Sequence, residues 1–267
     1  METRPVAGLT LFYEPGERQA ADLIGSACEA SVPLLGERWG LDTPRDCRVY
    51  VLTSPLLFFF HSATWPWRLL LGASVLLWAP RVRRTWASAN GWTQRYGARR
   101  AVGVKPPRLA RAVQAGNGGR IFVVDPDVHD QVRHTTCHEL THAFTAHLKL
   151  PMWLDEGLAN VTVDHLAGRP SIQPATLDSL GNAAYGGRAE DYRRLRAGDL
   201  EGLVYHVVRG YWLTRYLDEA RPDLLPRLLA RPQRRSALEA GVAAALGLAP
   251  ATFWDEIDRL VVRHFRD

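Results

Sequence analysis

The sequence predicts an α+β fold: a small mixed or antiparallel sheet in an N-terminal lobe, followed by a mostly helical lobe. Three observations predict it. Short β-branched and aromatic runs are confined to the first 124 residues, helical periodicity fills nearly everything from Asp125 onward, and no internal repeat interrupts that order. The 267 residues, 46% hydrophobic and 23% charged, suffice for one large domain with its own core. Residues 1–267 therefore read as a single domain, with lobes at 1–124 and 125–267.

Val6–Tyr13 reads as a first strand, ended by Pro15-Gly16. Glu17 to Trp39 reads as an amphipathic helix, with Ala20, Leu23, Ile24, Ala27 and Leu34 or Leu35 near helical spacing. Arg48–Leu52 is a second strand. Ala101–Val104 and Ile121–Val124 are two more, separated by a loop around Gly116-Asn117-Gly118-Gly119.

Residues 55–95 look like an insertion. Within 55–80 lie Leu56-Leu57-Phe58-Phe59-Phe60 and then Leu69 to Ala79, with His61, Pro66 and Arg68 between them. A spanning helix needs about 20 consecutive apolar residues. Both runs are too short, and Pro66 and Arg68 occupy what would be the centre. A buried helical hairpin, a membrane-surface or re-entrant hairpin, and a tilted span remain, in that order of preference.

The charge is uneven. No acidic residue falls between Asp46 and Asp125, while twelve basic ones do; the rest of the chain carries 21 basic against 28 acidic. Five of the nine tryptophans share the acid-free stretch. Arginine and tryptophan together fit an anionic membrane surface, met through residues 55–111. Nucleic acid is disfavoured: stacking and phosphate contact are permitted, but no recognised motif is present. Met1–Tyr13 has no charged segment leading into an apolar run and cleavage site, so no secretory signal is expected. Cys28, Cys47 and Cys137 lack paired spacing, which suits buried free thiols in a reducing compartment. The expected location is the cytoplasm, including a peripheral or re-entrant position at the inner face of the membrane.

Asp125-Pro126-Asp127 opens a helix, with Asp125 as the expected N-cap and proline at the first helical position. That helix carries His138-Glu139-Leu140-Thr141-His142. Positions four apart lie on one helical face, so both imidazoles can bind one ion, and Glu139 can take a proton from metal-bound water. A hydrolytic zinc site needs a third protein ligand and an open fourth position. After Leu150-Pro151 the chain reads Met152-Trp153-Leu154-Asp155-Glu156-Gly157-Leu158-Ala159-Asn160, the opening of another helix. Glu156 is the expected third ligand, preferred over a solvated first-turn glutamate, and small Gly157 and Ala159 allow close approach to the histidine helix. His134 continues the histidine stripe; a surface position is favoured over a hydrogen bond near the site.

HELTH followed by WLDEGLA resembles the peptidase-MA-like domain family, gluzincin zinc metallopeptidases with a zincin-like fold whose active-site helix carries HExxH. The resemblance extends to Tyr-Glu-Pro-Gly after the first strand, Val-Tyr-Val-Leu, and Gly-Tyr-Trp-Leu-Thr-Arg-Tyr-Leu. It implies a Zn2+ cofactor on His138, His142 and Glu156, Glu139 as general base, and a peptide or protein substrate. It also implies an oxyanion donor from a later helix; Tyr205 is chosen over His206 and Tyr211. Asn160 departs from the acidic residue usual there, which weakens an expected hydrogen bond to a histidine ligand. The alternative functions are a catalytically inactive zinc-binding scaffold or a membrane-surface binding protein.

Overall fold

The computed structural model describes residues 1–86, 89–114, 121–181 and 200–266. The single strand expected at Val6–Tyr13 is the second half of a hairpin. Strand β1 (Glu2–Val6) turns at Ala7 and Gly8 and returns antiparallel as β2 (Leu9–Tyr13). Both turn residues have positive φ, 47° and 78°, which matches the twist of a two-residue hairpin. β1 escapes a hydropathy reading because it is mostly charged and polar and contains Pro5, tolerated on an edge strand.

Helix α1 (Arg18–Trp39) crosses over to β3 (Cys47–Val51), which lies parallel to β2. Three short helices follow: α2 (Pro55–Ser62), α3 (Trp65–Ala73) and α4 (Val75–Trp86). The chain then returns as the hairpin β4 (Gly91–Tyr96) and β5 (Arg99–Val104). β5 pairs parallel with β3, giving the order β1-β2-β3-β5-β4. The fold is mixed α+β, and its sheet is mixed rather than purely antiparallel.

Among the described residues no helix is long and apolar enough to cross a membrane, which removes the tilted span as a reading of 55–80. Nor is the segment buried throughout. Phe58 and Phe59 of α2 pack with Tyr50, Leu52, Tyr96 and Ala101 on one face of the sheet, whereas α3 buries nothing.

After β5 come α5 (Pro107–Gln114) and α6 (Val128–Thr145). The expected strand Ile121–Val124 does not join the sheet. Phe122 makes an isolated bridge to Ile172, flanked by hydrogen bonds from Val123 N to Ser171 O and from Gln173 N to Ile121 O, each 2.8 Å. A four-residue apolar run satisfies strand propensity but specifies no partner edge. The start of α6 is also corrected: Asp127, not Asp125, is its N-cap, accepting from His129 N at 2.8 Å. Asp125 instead meets His134.

Two compact units divide the chain. The first comprises 1–36, 42–119 and 124–146, so α6 groups with the sheet; the second comprises 37–41, 120–123 and 147–267. In the second, α7 (Met152–Ala167) packs against α8 (Leu200–Ala220), followed by α9 (Leu224–Leu229), α10 (Arg235–Ala245) and α11 (Phe253–Arg266). Gly157 makes its close approach here, to α8: a Cβ on it would lie 2.3 Å from Gly210 O.

Candidate metal centre

Helix α6 packs against β4 and β5, and its Val132, Thr136, Leu140 and Phe144 are buried. His138 and His142 are partly buried, with rings crossing at 81° and Nε2 atoms 3.1 Å apart. Two nitrogens each about 2.0–2.1 Å from one tetrahedral ion sit roughly 3.3 Å apart, so the spacing suits a shared metal.

Glu139 is held from the sheet. Thr93 Oγ1, on edge strand β4, lies 2.7 Å from Glu139 Oε2 and 2.9 Å from its backbone oxygen. Two residues earlier, a Cβ on Gly91 would lie 2.5 Å from Glu139 Cγ and 2.8 Å from both Glu139 Oε1 and Thr135 Cγ2. Alternation along β4 explains the arrangement: Gly91 and Thr93 meet α6, while Trp92 and Tyr96 join the aromatic cluster of α2 on the other face. Thr93 and Gly91 were not anticipated. The period-two pattern of Gly-Trp-Thr-Gln-Arg-Tyr was the available signal, but it sits inside the stretch read as an insertion.

Glu156 lies in the first two turns of α7, and its carbonyl accepts from Asn160 Nδ2 at 2.9 Å. The Asn160 amide group thus bonds within its own helix. Of the expected ligand group, His138 and His142 lie in the first unit and Glu156 in the second. Cys137, next to the first histidine, is outside this group. It is fully buried, and loss of solvent pushes its thiol up to about 12, which keeps it protonated and a poor ligand.

The remaining candidates have identifiable partners. His134 Nδ1 is 2.8 Å from Asp125 Oδ2, with both side chains largely buried. Tyr205 is buried in the second unit, where its hydroxyl donates to Asp258 Oδ2 at 2.6 Å and burial pushes its phenol above the ordinary range. Arg209 completes that cluster, donating to Asp258 Oδ1 at 2.7 Å and lying 4.4 Å from the Trp254 ring centre. Tyr211 donates to Asp164 Oδ2 at 2.7 Å and accepts from Arg215 at 2.9 Å. His206 is buried edge-on to Tyr205. In comparisons with known proteins, no family model and no curated protein matches the chain.

Proposed function

We propose that this chain is a zinc-dependent peptidase of the gluzincin type, with His138, His142 and Glu156 as metal ligands and Glu139 as general base. The histidine pair carries the reading: two imidazoles on one face of α6, with Nε2 atoms 3.1 Å apart, suit one zinc ion, and Glu156 is the carboxylate that would complete the donor set. The resemblance of HELTH and WLDEGLA to the peptidase-MA-like family adds the substrate class, a peptide or protein.

A zinc ion on these ligands supplies Lewis acidity to a water and to the scissile carbonyl. Glu139 accepts the water's proton and returns it to the leaving amine. Thr93, hydrogen-bonded to the Glu139 carboxylate from the rigid edge of the sheet, orients that base.

The test is metal content and hydrolysis of a broad quenched-peptide library by the purified full-length chain. Glu139→Gln should keep its zinc and lose activity by about 10²–10⁴-fold, while His138→Ala should lose the zinc. Zinc-loaded Glu139→Gln cleaving at the wild-type rate would sink the assignment. One observation favours a second reading, a zinc-holding scaffold without activity: the chosen oxyanion donor Tyr205 is already bonded to Asp258. A zinc-replete wild type that cleaves no library peptide is the outcome expected of that scaffold.

A further inference from the structure

Helices α3 and α4 pack Leu71, Trp78 and Trp86 against the aromatic cluster but leave other large apolar side chains in solvent. Trp65 is 70% exposed, Leu69 and Leu70 are each 56%, and Leu76 and Leu77 are 87% and 85%. Trp67, at 43%, rests one side on the Tyr96 ring, 5.9 Å away between centres, and leaves the rest in solvent. The connection at Ser74, whose N and Oγ both donate to Leu70 O, places the two leucine pairs on either side of one turn. Several large apolar side chains exposed on one short hairpin mark an interaction site.

The surrounding charge identifies the partner. Residues 47–124 contain no carboxylate side chain and twelve basic side chains, of which Arg48 and Arg99 pair with Asp46, Arg108 pairs with Glu17, and Arg100 and Lys105 are buried. On the hairpin itself, Arg68 donates to the carbonyls of His61 and Ala63, bonds that orient the guanidinium group without neutralising it. Arg83 is exposed on α4. A second copy would bring like charge to like charge. A nucleic acid would use the arginines and tryptophans but give the four leucines nothing to enter. A bilayer with anionic headgroups uses all three: phosphates meet arginine, indole rings take the headgroup level, and leucines reach the acyl boundary.

We propose that the α3–α4 hairpin docks this protein on an anionic membrane surface, with Leu69, Leu70, Leu76 and Leu77 inserted and Trp65 and Trp67 at the headgroup level. The surface is built without any residue of the metal centre, so docking stands or falls apart from the peptidase reading.

The experiment is co-sedimentation of the full-length chain with phosphatidylcholine vesicles, either pure or containing about 30% phosphatidylglycerol, at about 0.15 M and about 0.5 M salt. Binding should be at least about tenfold stronger to the anionic vesicles and should weaken at high salt. Leu76→Glu with Leu77→Glu should lower it at least about tenfold with the melting temperature unchanged, because both side chains are already in water. Leu76→Ser with Leu77→Ser should also lower it, which separates lost insertion from added repulsion. Equal binding to both vesicle types, or wild-type binding by the serine pair, overturns the proposal. A wild-type dimer that either pair converts to monomer, with no vesicle binding by the wild type, overturns it in favour of a second copy.

Discussion

Helix α6 buries nine of its eighteen residues, although its sequence holds four histidines and four threonines; α3, with two tryptophans and three leucines in nine residues, buries none. Both belong to the unit built around the sheet. The buried threonines of α6 lose little by leaving water. Thr136, Thr141 and Thr145 each donate to the carbonyl four residues earlier, at 2.7–2.9 Å, so their hydroxyls are satisfied inside the helix. The apolar side chains of α3 meet a different limit: Phe58 and Phe59 of α2 already pack with Tyr50, Tyr96 and Ala101, so α3 reaches that cluster through Leu71 and Trp67 while Leu69 and Leu70 stay exposed. Place along the sheet decides burial here, and composition decides only what a helix can tolerate or offer once placed.

The largest expected effect sets one leucine against another. Leu140→Ala, at a fully buried position of α6, should cost about 2–5 kcal/mol, whereas Leu77→Ala on α4 should change stability by less than about 0.5 kcal/mol. Urea unfolding of the two variants checks it, and similar losses would erase the contrast between the regions.

A smaller effect probes where the exposed hairpin meets the sheet. Lys105, just after β5, is only 2% exposed; its ammonium lies 4.1 Å from the Trp86 ring centre and donates to Trp86 O. Burial pushes its pKa down from 10.5 to about 8. Between those values only the unfolded chain keeps the proton, so stability should rise with pH across that window and show no such slope below it. Lys105→Met should be the more stable protein near neutral pH and lack that rise. Parallel pH dependence of wild type and variant in chemical unfolding would place Lys105 in contact with water.

The smallest change concerns the contact between the sheet edge and the proposed base. Thr93→Val keeps the shape of β4 but removes the hydroxyl facing Glu139, at a cost of about 1–2 kcal/mol in stability. If Thr93 orients the base, turnover should fall while substrate affinity and zinc content hold; equal turnover would leave Thr93 a packing residue.

Legibility in the sequence followed the range of the interaction. The histidine pair was readable because the helical period alone puts positions 138 and 142 on one face, and α1 was readable because its apolar residues recur at that period over 22 residues. The N-cap of α6 was misplaced by two residues: both Asp125 and Asp127 carry a capping carboxylate, and only backbone geometry selects between them. β1 and β4 went unread because edge strands carry charge, proline or polar residues, so their sequences lack the apolar run that marks a central strand.

The sequence by itself determined the mixed α+β class, the helix bearing HELTH, the spacing of its two imidazoles and the acid-free arginine and tryptophan stretch, because each depends on residues a few positions apart or on composition. Only the tertiary structure decided that Thr93 and Gly91 of an edge strand meet Glu139, that Gly157 makes its close approach to α8, that Ile121–Val124 stays out of the sheet, and that Leu69, Leu70, Leu76 and Leu77 face water. Strand pairing and burial join residues tens of positions apart, and a local apolar or polar pattern carries no record of which distant surface it will meet.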